Sequence, residues 1–132
     1  MIETGIKGHR EQIVTPEMSA ARVGSGLVDV FATPMLVALV EQTCYESVLP
    51  HLEPGQGTVG TLVNVSHTSA TPIGCRVWCD SELVDVDRRR LVFKVKACDE
   101  AGPIGEGTHE RFVVDTQRFM SKLQSKSADS KQ

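Results

Sequence analysis

A chain of 132 residues, 40% hydrophobic and 23% charged, suits one soluble domain with its own core. Its formal net charge of −3 offers no basic field, so nucleic acid is not an expected partner. No run reaches the length of a membrane span and Met1 to Thr15 contains no apolar stretch, so neither a bilayer nor a signal peptide is expected and the cytoplasm is the default compartment.

Met1 to Gly8 is expected to be loose. Arg10 to Ser19, with Ile13 and Val14, reads as a weak first strand. Ala20 to Asp29 holds Gly24-Ser25-Gly26, a flexible connector able to form a lid. A helix follows. Thr33 is its expected N-cap and Pro34 suits the first helical position. The apolar pattern runs to about Leu49, and Pro50 ends it. Glu53-Pro54-Gly55-Gln56-Gly57 is a turn.

Four strand-like segments come next: Thr58 to Thr71, Cys75 to Val86, Leu91 to Asp99 and Ile104 to Asp115. Turns at Pro72-Ile73-Gly74, Asp87-Arg88-Arg89-Arg90 and Glu100-Ala101-Gly102-Pro103 separate them. In the third, Leu91, Phe93, Val95 and Ala97 share one face. Thr116 to Gln124 reads as a short helix, and the polar stretch Ser125 to Gln132 as a frayed end. No repeat and no second domain is visible in the chain. The cysteines, Cys44, Cys75, Cys79 and Cys98, form no C-x-x-C pair and no zinc spacing. Free thiols and no metal are expected.

Four successive strands on short turns imply an antiparallel meander, and a helix apolar on most faces must be covered. A curved sheet of about five strands wrapped around one long central helix satisfies both. This is the α+β hotdog arrangement. Its open edges favour a homodimer, with a tetramer as a further possibility.

Glu41 is an acid set among apolar helix neighbours. Its neighbours at helical spacing are Pro34, Val37, Ala38, Cys44, Tyr45 and Val48. A carboxylate there should be desolvated, which fits acid, base or nucleophile work, or a satisfied structural acid. Strand alternation puts His67 on one face with Val59, Val63 and Val65, looking toward the helix. It is either a core histidine bonded to backbone or the acid's partner. Thr33, as a cap, would lie beside free amides that can hold an oxyanion. Thr33 and Glu41 are roughly 12 Å and 80° apart on a regular helix, so they can flank one substrate, or act from two subunits, but not bond directly. Gly60 fits a β-bulge or a close approach to ligand. His109 and Arg111 share a face with Val113, and Arg111 has Glu106, Glu110 or a substrate group as possible partners. Arg88-Arg89-Arg90 is read as a charged hairpin tip rather than a phosphate site.

Val30-Phe31-Ala32-Thr33, Glu41, the stretch Val65-Ser66-His67-Thr68-Ser69-Ala70-Thr71-Pro72 and Gly107-Thr108-His109-Glu110-Arg111 resemble the fluoroacetyl-CoA thioesterase group of hotdog enzymes. The resemblance covers about Val30 to Phe119. It implies a homodimeric acyl-CoA hydrolase without cofactor, with CoA arriving only as part of the substrate. It also implies a catalytic set of Thr33, Glu41 and His67, with Gly60 and Arg111 near the thioester. Fluoroacetyl-specific members carry aromatic residues in the lid. Here Arg22-Val23-Gly24-Ser25-Gly26-Leu27 has none, and Phe31 is the nearest ring for substrate contact. A small acyl-CoA is therefore the expected substrate. A hotdog hydroxyacyl-thioester dehydratase and a non-catalytic acyl-CoA-binding module are the alternatives.

Overall fold

The structure, a computed structural model, describes residues 2–130. Strand β1 (Lys7–Ile13) leads through a 3-10 turn (Pro16–Met18) and the one-turn helix α1 (Ala20–Val23) to the long helix α2 (Thr33–Val48). Strands β2 (Gln56–Val65), β3 (Arg76–Asp87), β4 (Arg90–Asp99) and β5 (Gly102–Asp115) follow, then helix α3 (Thr116–Ser130). All pairings are antiparallel, and the sheet order is β1-β3-β4-β5-β2. Strand β2, expected as the first of four successive neighbours, pairs with β5 instead, because residues 66–75 carry the chain across the sheet to β3; only β3, β4 and β5 form a meander. The lone strand β1 and the strand after α2 close its two sides, leaving β2 as an edge.

The inner face is built by alternation. Val77, Cys79 and Leu83 of β3, Leu91, Phe93, Val95 and Ala97 of β4, and Ile104 of β5 are buried. They pack with Leu36, Leu39, Val40, Cys44 and Val48 of α2. Each large side chain removed from water in this way contributes about 1.5–3 kcal/mol. Asp99 is buried too, and is satisfied by the Thr71 hydroxyl at 2.7 Å and the Ala101 amide at 2.9 Å.

Several expectations about element bounds are corrected here. The first strand begins at Lys7, not Arg10, and Gly5 already donates to the Leu83 carbonyl at 2.8 Å. Its alternation is hidden because it is an edge strand held by charge. His9 meets Asp80 and Glu11, and Arg10 meets Glu46. Ala32, not Thr33, is the N-cap of α2, which puts Thr33 and Pro34 in the first two helical positions. The segment after β2 leaves the sheet at Val65 rather than continuing to Thr71. Helix α3 runs to Ser130, beyond the expected Gln124, while residues 131 and 132 lie outside the described chain.

The β2–β5 register shifts between Gly60 and Leu62. Before the shift Thr58 and Gly60 oppose Val113 and Arg111 on the inner face. After it Val63 opposes His109. Val59 opposes Phe112 on the outside, so it does not share a face with Val63 as continuous alternation requires. The hairpin between β3 and β4 turns at Arg88 and Arg89, and Arg90 is forked onto Glu110 at 2.8 and 3.0 Å, as a charged tip should be.

Candidate active site

His67 is fixed by its neighbours. The Ser66 amide donates to the Glu106 carbonyl at 2.9 Å, and the Thr68 amide to the Ile104 carbonyl at 2.7 Å. Gly105, between those two residues of β5, lets the strand approach: a Cβ there would collide with the Ser66 carbonyl. So held, the His67 Nδ1 lies 2.7 Å from the Thr33 hydroxyl. The Phe31 ring meets the imidazole edge-on at 6.3 Å. Among the described residues the His67 Nε2 is buried with no hydrogen-bond partner. These residues open on a cavity of about 370 Å³ beneath the segment Ser25, Gly26, Leu27 and Val28. Leu27 is 96% exposed and Val28 64%, so the lid offers apolar side chains to whatever enters.

Glu41 occupies a second polar centre. Its side chain is 39% exposed, so it is not the fully desolvated acid that the helical pattern suggests. The reason is which side of α2 the sheet covers. Leu36, Leu39, Val40, Thr43 and Cys44 are buried, whereas Val37, Ala38, Glu41 and Tyr45 form a half-buried side. The Glu41 Oε2 accepts from an Arg111 terminal nitrogen at 3.3 Å. Arg111 is 6% exposed and also donates to the Thr58 hydroxyl at 2.8 Å, the Thr58 carbonyl at 3.1 Å and the His109 Nε2 at 3.1 Å. Its guanidinium carbon lies 5.6 Å from the Tyr45 ring centre. Arg111 is therefore Glu41's counter-ion, while Glu110, a partner considered from sequence, goes to Arg90. Burial pushes the neighbouring Cys44 thiol far above its ordinary range, so no thiolate competes with this carboxylate.

The sequence leaves His67 as either a core histidine bonded to backbone or the partner of Glu41. In this chain His67 bonds Thr33 and Glu41 bonds Arg111, two centres at separate places along α2. The expected absence of a direct Thr33–Glu41 bond fits that division. The part least legible was the inner-facing His109–Arg111 pair. Alternation with Val113 put both on one face, but nothing local linked Arg111 to Glu41, 70 residues away. Among the described residues no group of three or more His, Cys, Asp or Glu side chains converges as a metal site would.

Gly60 explains itself here. A Cβ at Gly60 would lie 2.8 Å from the Glu41 Oε2 and 3.3 Å from the Arg111 terminal nitrogen. The nearer atom is the end of a flexible side chain, so Gly60→Ala should fold and melt near the parent while displacing the carboxylate. About a tenfold to hundredfold loss of turnover is expected, since small misplacements in a site carry that cost. An alanine variant with parental turnover would contradict this geometry.

Burial holds both His67 and His109 below the ordinary value of 6.5. The unfolded chain therefore binds protons first as pH falls through 6.5, and stability declines from there until the folded-state values are passed. His9 is raised by Asp80 and Glu11, so its contribution is complete below 6.5 and fades as pH rises above it, which opposes the two buried rings, whereas Glu11 and Glu110, both lowered, lose stability with them as pH falls. Urea midpoints at pH 7 and pH 5 should thus show a less stable protein at pH 5. Equal midpoints would refute the buried neutral imidazoles.

A long helix wrapped by a five-stranded antiparallel sheet defines a hotdog fold, and this one carries a histidine–hydroxyl pair beside a cavity and an arginine-held carboxylate on the helix flank. The model of the fluoroacetyl-CoA-specific thioesterase family matches residues 14–117. A fluoroacetyl-CoA thioesterase of Streptantibioticus cattleyicolor is 44% identical over 99 residues, covering 75% of this chain and 71% of that protein. A solved fluoroacetyl-CoA thioesterase superposes with a TM-score of 0.90 at 36% identity, over 96% of this chain and 98% of that one. A thioesterase superfamily member from Thermus thermophilus gives 0.91 at 26% identity, over 99% and 97%. This chain belongs to the fluoroacetyl-CoA-specific thioesterase family.

Proposed function

We propose that the protein is a homodimer that hydrolyses a small acyl-CoA to the free acid and CoA, at sites assembled from two subunits. The observation that carries the proposal is the division of the polar groups. Thr33 and Glu41 stand roughly 12 Å apart along α2, so one chain offers the two halves too far apart for a single thioester carbonyl. The open side between them is an interface in character. The edge strand β2 leaves Leu62 44% and Val63 40% exposed, beside the half-buried flank of α2. Antiparallel pairing of two β2 edges about an axis near Val63 would set Gly60 opposite the partner segment that begins at residue 66. Glu41 and Gly60 would then face the partner subunit's Thr33 and His67.

In that arrangement the thioester oxygen takes a hydrogen bond from the Gly60 amide as it becomes negative, while the Thr33 hydroxyl donates to the His67 Nδ1 and so keeps that ring's proton on Nε2. Glu41 activates water or attacks the carbonyl itself, and His67 delivers the proton to the departing CoA thiolate. Arg111 aims the carboxylate through its 3.3 Å bond to Oε2. The lid carries no aromatic ring, and Phe31 lies deeper, against His67. The acyl group is accordingly short and needs no fluorine. Thiol release from a panel running from acetyl- and fluoroacetyl-CoA to aromatic acyl-CoAs, with light scattering for the oligomer, tests this. Hydrolysis concentrated on the shortest members by a dimer is expected. A monomer, or no thiol release across the panel, would refute it.

A further inference from the structure

We propose that His109 is a positioning residue for the Glu41 carboxylate: held as its neutral Nδ1–H tautomer, it fixes the Arg111 guanidinium that fixes Glu41. The proposal rests on the hydrolytic role given to Glu41 above.

His109 is fully buried, and its ring stacks on Phe93 at 6.3 Å and 27°. Its Nδ1 is 2.8 Å from the Leu62 carbonyl. A carbonyl only accepts, so Nδ1 must carry the proton. Its Nε2 is 3.1 Å from the Arg111 terminal nitrogen. A guanidinium only donates, so Nε2 must offer its lone pair. One species satisfies both contacts: the neutral imidazole protonated on Nδ1. The opposite tautomer would set carbonyl against lone pair and N–H against N–H.

The consequence runs to Glu41. The Arg111 nitrogen that bonds His109 is the one that bonds the Glu41 Oε2. The other two nitrogens are occupied by Thr58. His109 is thus the second anchor of the arm that reaches the acid. Leu62 lies just past the β2 register shift, so bulge, imidazole, guanidinium and carboxylate form one chain of hydrogen bonds. The charged groups facing the ring are Arg111 and Glu110 on β5 and Glu41 on α2, while β2 supplies the Leu62 carbonyl and β4 the Phe93 ring. Burial, the largest effect, and Arg111 disfavour the imidazolium, while the Leu62 carbonyl and the two carboxylates favour it, and the net shift is downward.

The test joins two measurements. Nitrogen-15 spectra of the histidine rings at pH 7 should report His109 as neutral and protonated at Nδ1. Steady-state kinetics should show His109→Phe, which keeps a ring against Phe93 and removes both bonds, losing about tenfold to hundredfold in kcat with KM nearly unchanged. His109→Gln, whose amide can still accept from Arg111, should recover part of that loss. A merely structural ring would fix no tautomer and would show no graded rescue. If His109→Phe does not fold, His109→Gln and the ring nitrogens decide. An Nε2–H or cationic ring at pH 7, or folded variants with parental kcat, would overturn the proposal and leave the thioesterase reading intact. A parent protein that cleaves no acyl-CoA would overturn that reading instead, and the nitrogen spectra would still judge the hydrogen-bond chain.

Discussion

Replacing Glu41 by glutamine is expected to lower thioester turnover about a thousandfold or more, a loss of roughly 4 kcal/mol of transition-state stabilisation, in a protein that still folds. The substitution keeps the shape and removes the basic oxygen. Folding should survive because the side chain is 39% exposed and because Arg111 keeps Thr58 and His109 as acceptors. A partly exposed ion pair of this kind contributes on the order of 1 kcal/mol. Thiol release and thermal melting on the same preparation check both halves. Turnover within tenfold of the parent would remove Glu41 from the chemistry.

His67→Ala is expected to cost about a hundredfold to ten-thousandfold in kcat, the range for loss of a positioned proton-transfer group. The imidazole's Nδ1 is occupied by Thr33, while its buried Nε2 is left for a reacting atom. The fold has little stake in the ring, since main-chain bonds from Ser66 and Thr68 hold the segment to β5. The melting temperature should therefore move by a few degrees at most while turnover collapses. Near-parental kcat would show that the Thr33–His67 pair is structural.

Much of the architecture could be read from residue order. Leu91, Phe93, Val95 and Ala97 alternate, and all four are buried. Pro50 follows the end of α2 at Val48, and the Arg88-Arg89 turn joins two strands as a charged tip. What escaped reading depended on contacts far apart in the chain. Strand β1 is polar on both faces because its bonds are to Asp80 and Glu46, so no periodicity marks it. The bulge at Gly60 is a property of two strands in register, and it moves Val59 to the other face from Val63. Glu41 looked desolvated because the helix around it is apolar. The single sheet covers the Leu36–Leu39–Val40 side and leaves the acid on the flank. Thr33 reads as a helix cap, but Ala32 holds that position and the Thr33 hydroxyl bonds His67 instead.

In the proposed dimer the open flank is where the two polar centres meet. There the carboxylate anchored by Arg111 in one chain would share a site with the imidazole anchored by Thr33 in the other.

Mixing tests that claim directly. Glu41→Gln and His67→Ala chains, each inactive alone, are unfolded together in equal amounts, refolded, and assayed for thiol release. If Glu41 and His67 act from different subunits, mixed dimers carry one intact site each, and activity should return to about a quarter of the parental level. No recovery, with mixed dimers demonstrated by mass spectrometry, would contradict the shared site.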